Sequence, residues 1–208
     1  MGSPAPPNGT FFNLKNKRSD LSLIFMKTEQ IIHHTQAWLT SFIIQYNICP
    51  FAKKEHDNGR IHYAVDDSTD IEHSLETVFD ECHRLDNHSN IETTLIIFPN
   101  NLSQFEDYLD FLSLAESLLI DQNYEGVYQL ASFHPLYCFE GANTNDPANY
   151  TNRSPYPMLH LIREASLESA LKSFPNPEKI PQQNIKLTRE LGLQKVQEIL
   201  RQSINGNE

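Results

Sequence analysis

The segment Asn152-Arg-Ser-Pro-Tyr-Pro has the residue types of an anion-binding site. Ser154 is suited to the N-cap of a helix and Pro155 to its first position, which would leave free backbone N–H groups at the helix start. Such groups attract anions, and the guanidinium of Arg153 can add a bidentate hydrogen bond to phosphate or carboxylate. We therefore expect Asn152, Arg153 and Ser154 to bind an anion. The alternative is that Ser154 only caps a helix and that Arg153 pairs with an acid of the chain.

The pair Cys49-Pro50 repeats this order of an N-cap candidate followed by proline. A helix start at Cys49 would lower the pKa of its thiol, and Lys53 and Lys54 one turn later would lower it further. The thiolate would then be a candidate nucleophile. Alternatively, Cys49 ends the first helix as a small buried residue, where the negative end of the helix dipole raises the thiol pKa.

Two of the nine histidines, His134 and His160, flank a long loop and are candidates for a general base. His134 follows a strand end, where ligands usually bind in α/β sheets. His160 and Glu164 lie four residues apart, and only a helical segment would bring them close enough to act together. Residues 158–164 fit either a strand or a helix, and the Ser154-Pro155 pattern favours the helix.

A metal site built from His134, His160 and Glu164 is an alternative interpretation of the same residues. The short-spaced ligand pair typical of zinc motifs is missing, so we expect no metal, and the sequence indicates no particular cofactor. A purely structural role, with both histidines buried and hydrogen-bonded, is a further alternative.

The loop between these histidines lies within residues 131–164 and runs for some twenty residues rich in Asn, Pro, Tyr and Thr. Long loops in compact domains are usually either functional or disordered. This loop carries more aromatic surface than a solvated linker does, which predicts a folded loop that builds a site. Its aromatic residues are Phe133, Tyr137, Phe139, Tyr150 and Tyr156.

The elements that must position these residues are predicted from hydrophobic spacing. The middle of the chain alternates strand, helix, strand, helix and strand. This predicts one α/β domain with a small, mostly parallel sheet of about three to five strands, helices packed on it and the long aromatic loop. We expect strands at 60–65, 93–98 and 127–133, and helices at 28–46, 70–85, from 103 or 104, from 166 and over about 182–202.

Composition excludes several classes of protein. The 208 residues suit one domain, which we place at 26–204, with residues 1–25 as a leader or disordered extension. A net charge of −11 opposes binding to nucleic acid or an anionic membrane, and no apolar run approaches the length of a membrane span. Without a signal peptide or a disulfide pattern, we expect a cytoplasmic protein. Nucleotide-binding glycine loops and the hydrolase and zinc-protease motifs are absent.

Several segments together resemble the bacterial family known as domain of unknown function 1415. The resemblance covers about residues 30–193 and rests on Asn47-Ile-Cys-Pro-Phe-Ala, Ala131-Ser-Phe-His-Pro-Leu-Tyr with Phe139 and Gly141, Asn149-Tyr-Thr-Asn-Arg-Ser-Pro-Tyr-Pro, Leu159-His160 and Arg163-Glu164. The family pattern often has Gln where this chain has Cys138, which argues against Cys138 as a ligand or nucleophile. The resemblance implies no activity, but it places Cys49, His134, Arg153 and His160 at matching positions.

These residues lead us to expect an enzyme, a hydrolase or group transferase, acting on a small anionic metabolite. Cys49, His134 and His160 would be catalytic, and Asn152, Arg153, Ser154 and Arg163 would bind the anion. The alternatives are a non-catalytic small-ligand or metal-binding module, and a protein-interaction module that uses the same loop. The oligomeric state stays open.

Overall fold

The computed structural model describes residues 27–206, within which the chain forms a four-stranded sheet. The three predicted strands are confirmed to within one residue at their ends, and a fourth is added. They are β1 (Ile61–Val65), β2 (Thr93–Ile97), β3 (Tyr128–Phe133) and β4 (Met158–Arg163). The predicted extension at residues 1–25 lies outside the described residues.

Seven α-helices accompany the sheet in this part of the chain. The first predicted helix is confirmed, and its second half, Leu39–Ile44, is a π-helix. None of the helices in residues 27–206 is long and apolar enough to cross a membrane. The helices are α1 (residues 27–38), α2 (Ala52–Asp57), α3 (Ile71–Asn87), α4 (Phe105–Asp121), α5 (Glu164–Ser173), α6 (Ile180–Leu191) and α7 (Leu193–Asn205).

The expectation of a mostly parallel sheet is wrong, although the α/β class is confirmed. The strand order is β1-β2-β4-β3; β1 and β2 are parallel, whereas β4 is antiparallel to both of its neighbours. β1, β2 and β3 therefore run in one direction, as the alternation of strands and helices predicts. The crossover through α4 leaves a gap of one strand, and β4 fills this gap in the opposite direction.

Residues 158–163 form this inserted strand, so the helical interpretation of the segment is wrong. The backbone of Phe98 donates a hydrogen bond to the carbonyl of Pro157 at 2.9 Å, which extends the ladder beyond the strand. Ser154 is fully buried and caps no helix, because its hydroxyl donates to the carbonyl of Tyr156 at 2.6 Å. Pro157 restrains the residue before it to extended geometry, and two open strand edges then satisfy the backbone of β4.

Alternation along the strands gives the sheet two different faces. One face packs against α3 and α4, with Ile96, Leu159 and Leu161 in its core. The other, which we call the cavity face, packs against α1, its π-helical extension and α7, with Ile97 and Met158 in its core. Paired residues share a face, so Leu95, Ala131 and His160 lie on the cavity face as well.

The long loop is folded, as its aromatic content predicts. A 3₁₀-helix, Pro147–Thr151, lies within it and is buried at Ala148 to Thr151. The side chain of Asn149 is central: its Oδ1 accepts from the backbone N–H of Phe139 at 3.1 Å, and its Nδ2 donates to the carbonyl of Asn143 at 2.9 Å. The indole of Trp38 ties the loop to α1 by donating to the carbonyl of Arg153 at 3.0 Å.

The C-terminal segment forms two helices where we predicted one. Gly192 separates α6 from α7, and it has φ +80° and ψ 158°. Residues with a side chain rarely adopt this conformation, so glycine permits a turn at this position. The apolar residues of α6 and α7 recur with similar helical spacing, so the sequence alone suggests one continuous helix.

Replacing Gly192 by alanine distinguishes two separate helices from one continuous helix, because the expected change in the free energy of unfolding has opposite signs. At this φ and ψ, we expect Gly192→Ala to lower the free energy of unfolding by about 1–3 kcal/mol. In a continuous helix the same change would raise it by about 1 kcal/mol. Urea denaturation measures the difference, and Gln183→Ala at an exposed position of α6 is the control, expected to change it by less than about 0.5 kcal/mol.

Candidate functional site

A cavity of about 520 Å³ lies between the cavity face of the sheet and the helices that cover it. Its wall comes from all four strands, the π-helix, α2, the long loop, α5 and α6. Most of the wall is apolar. Representative side chains are Trp38, Ile43, Leu95, Phe133, Ile162 and Leu167.

His160 lines this cavity from the centre of β4. Its Nε2 lies 2.6 Å from the hydroxyl of Thr93, and that hydroxyl donates its single proton to the carbonyl of Leu161 at 2.5 Å. Thr93 must therefore accept a proton from His160, which places the proton on Nε2 and leaves Nδ1 as the basic atom. Burial lowers the pKa of His160 to about 4, so the ring is neutral at neutral pH.

Cys49 lines the same cavity, just before α2. Burial raises the pKa of its thiol, although hydrogen bonds from the backbone of Phe51 and Ala52 act in the opposite direction. The helix begins at Ala52, later than the Cys49-Pro50 pattern predicts. The lowered thiol pKa expected at a helix start is therefore not found, because desolvation outweighs the two amides.

Asn152 is the one residue of the predicted anion site that lines the cavity. Its amide Nδ2 donates to the carbonyl of Ser132 at 3.1 Å. Its Oδ1 lies 3.1 Å from the hydroxyl of Thr151, which also has the carbonyl of Ala148 as an acceptor at 2.9 Å. The bond to Ser132 joins the long loop to the end of β3. Its side chain is thus held between β3 and the loop that carries it.

His134 is on the other side of the sheet. The ring is fully buried, next to Phe105 and Tyr108 of α4. Its Nε2 bonds to the carbonyl of Leu102 at 2.9 Å, and its Nδ1 accepts from the backbone of Leu136 at 3.0 Å. Both ring nitrogens are therefore occupied, which fits the alternative that this histidine is buried and hydrogen-bonded for a structural role.

Arg153 contacts carbonyl groups of its own loop. Its guanidinium donates to Tyr137 at 3.0 Å and Thr144 at 2.9 Å, and it lies 4.7 Å from the ring centroid of Tyr150. Ser154 caps no helix, so the expectation of a helix N-terminus beside Arg153 is wrong. The role of these residues in anion binding stays a prediction that the geometry does not favour.

Arg163 and Glu164 lie at the far end of β4. Arg163 donates to the carbonyls of Leu85 at 2.6 Å and Ile91 at 3.2 Å, which joins the sheet to the end of α3. Glu164 begins α5 and is not brought beside His160 by a helix. In residues 27–206, no group of three His, Cys, Asp or Glu side chains is arranged to hold a metal ion, so the alternative metal set is not assembled.

The polar end of the cavity contains residues that the sequence did not single out. Glu55 of α2 and Glu92, just before β2, line both the cavity and an adjoining groove. Arg60 bridges them: one guanidinium nitrogen contacts Glu92 closely, and another lies 3.3 Å from Glu55. Neither acid has a sequence motif around it, and only the approach of α2 to the strand ends places them together.

The sheet and cavity define an α/β protein with a mixed four-stranded sheet and a small-molecule-sized space between one sheet face and its helices. The family model described as "Protein of unknown function (DUF1415)" matches residues 30–198, and the chain belongs to this family. The resemblance drawn from the sequence is thus confirmed. Comparisons with curated proteins and with solved structures found no match.

The pKa of His160 predicts a pH effect on stability. An unfolded histidine titrates near 6.5 and His160 near 4, so the unfolded chain binds more protons below pH 6.5. The stabilisation is fully present above pH 6.5 and is lost as the pH falls through 4, by about 3 kcal/mol in total. We expect His160→Gln to lose less unfolding free energy than the unsubstituted protein between pH 7 and pH 4.5, measured by urea denaturation.

The control for this experiment is His33→Gln, at an exposed position of α1. Other buried histidines also respond to acid, so the informative quantity is the difference between each variant and the unsubstituted protein. The burial account of His160 would be contradicted by an equal pH dependence in His160→Gln and the unsubstituted protein.

Proposed function

We propose that this protein binds a small, largely apolar molecule in the cavity on the cavity face of the sheet. The observation that carries the proposal is the cavity itself, about 520 Å³ in volume with a mostly apolar wall. Cavities of about 300–1,000 Å³ with apolar walls and a few polar groups are typical of small-molecule sites. Burial of apolar ligand surface supplies the driving force, at about 25 cal/mol per Å².

The charge of the wall argues against the anionic ligand that we expected. Among residues 27–206, no lysine or arginine lines the cavity. The guanidinium groups of Arg153 and Arg163 already donate to backbone carbonyls outside it. An anion in this space would lose its hydration without a cation to replace it. A non-catalytic ligand-binding module, one of the original alternatives, is therefore the interpretation we favour.

A hydrolase or transferase remains a second candidate, because Cys49 and His160 line the same cavity. In such an enzyme, Nδ1 of His160 would accept the thiol proton of Cys49 as the sulfur bonds to the acyl carbon of an ester. The ester C–O bond would then break, and His160 would return the proton to the departing oxygen. Neither group is prepared for this reaction at neutral pH, since burial raises the pKa of Cys49 and lowers that of His160. We also propose, as the sequence led us to expect, that the protein is located in the cytoplasm.

Ala170 of α5 lines the cavity, and a larger side chain there tests the binding proposal. We expect Ala170→Phe to weaken binding of N-phenyl-1-naphthylamine, a neutral apolar fluorophore, by at least about tenfold, or about 1.4 kcal/mol. Gln183→Phe, exposed on α6 and not in the wall, is the control and should bind as the unsubstituted protein does. Equal affinity of both variants and the unsubstituted protein would reject the cavity as the site.

The second candidate predicts acyl transfer that depends on Cys49. With p-nitrophenyl decanoate as substrate, an enzyme of this kind should lose p-nitrophenol release by about 100-fold or more in Cys49→Ala and in His160→Gln. Cys82, a buried residue of α3, supplies the control variant Cys82→Ala, which should keep the activity of the folded protein. Unchanged turnover in Cys49→Ala would remove Cys49 from any mechanism.

A further inference from the structure

We propose that the ligand of the cavity carries a protonated amine, which Glu55 and Glu92 bind at the polar end of the apolar space. This inference rests on the proposed function, since it names the chemical class of the molecule that the cavity would take. It also reverses the charge that we expected from the sequence.

The two carboxylates lie at the boundary between the cavity and the adjoining groove, and their residues line both. They come from different elements: Glu55 is in the middle of α2, and Glu92 directly precedes β2. Their side chains are only 16% and 15% exposed. Two largely desolvated carboxylates at the end of an apolar space form a selective environment for a hydrogen-bond donor with positive charge.

The cations near this boundary lie on its outer side. Arg60 and Lys54 line the groove but not the cavity. Lys54 is exposed and lies 3.5 Å from Glu55, so solvent screens its charge. The cavity is therefore lined by both acids and by neither of these cations.

The ion pairs of Arg60 leave the acids incompletely satisfied. One guanidinium serves two carboxylates, and Oε1 of Glu92 is buried without a hydrogen-bond partner among the described residues. Oε2 of Glu55 contacts Arg60 at 3.3 Å but also accepts no hydrogen bond in this part of the chain. An ammonium group has three donors and one positive charge, which matches this deficit. A carboxylate ligand would instead be repelled by both acids.

Three probes with the same apolar chain and different head groups test the charge preference: decylamine, decanoic acid and decan-1-ol. Isothermal titration calorimetry at neutral pH, below the concentration at which any of them forms micelles, gives their affinities for the full chain. We expect decylamine to bind about tenfold or more tightly than decanoic acid, with decan-1-ol between them.

The variants Glu55→Gln and Glu92→Gln keep the shape of each side chain and remove its charge. In each of them we expect the affinity for decylamine to fall by about tenfold, while that for decan-1-ol changes by less than about twofold. Binding of decan-1-ol also shows that the variant is folded, and the two variants give independent tests if one of them is unstable. Glu76→Gln, which removes an exposed acid of α3 that does not line the cavity, controls for the change in net charge.

The outcomes separate the inference from the proposed function. If decanoic acid binds as tightly as decylamine, or if both glutamine variants keep the preference for the amine, the inference is overturned while cavity binding stands. If none of the three probes binds, or if Ala170→Phe leaves their binding unchanged, the proposed function fails and the inference fails with it. A preference for the amine that Glu55→Gln or Glu92→Gln removes, and Glu76→Gln keeps, supports both.

Discussion

The insertion of β4 between β2 and β3 is the constraint on which the rest of the structure depends. β4 pairs along its whole length with β3 and over Met158 to Ile162 with β2, and it runs against both. Because β4 is antiparallel to β3, it begins beside the end of β3, with Met158 paired to Phe133, and the long loop leaves and re-enters the sheet at the same end. Its folded core around Asn149, and its bond to the indole of Trp38, hold the loop against α1 and close one side of the cavity.

The same insertion separates residues that seem related in the sequence. His160 projects from the cavity face, because it pairs with Leu95 and Ala131. His134 follows β3 and turns to the face covered by α4, where both ring nitrogens are bonded to the backbone. Arg163 turns to that face as well and joins the sheet to α3. The three side chains therefore do not form one site: His160 lines the cavity, whereas His134 and Arg163 make structural contacts on the other face.

Burial governs the chemistry of the cavity more than any partner charge does. It makes His160 neutral and holds the thiol of Cys49 in its protonated form. Both effects suit a site that takes up apolar surface, and both oppose spontaneous thiolate chemistry. At the other end of the space, Arg60 balances only part of the charge of Glu55 and Glu92. Glu55 and Glu92 are thus the charged residues of a mostly apolar wall, which is the basis for proposing an amphiphilic ligand.

The sequence by itself determined the family, the three strands that run in one direction, the helices that connect them and the folding of the aromatic loop. Local apolar spacing and the short motifs around Cys49 and Arg153 carry this information. Only the tertiary structure decided that residues 158–163 are a strand, that Gly192 divides the last helix, and that Glu55 and Glu92 line the same cavity. The physical reason is that a six-residue segment takes its conformation from unpaired strand edges on either side, and that contacts between distant elements leave no local pattern.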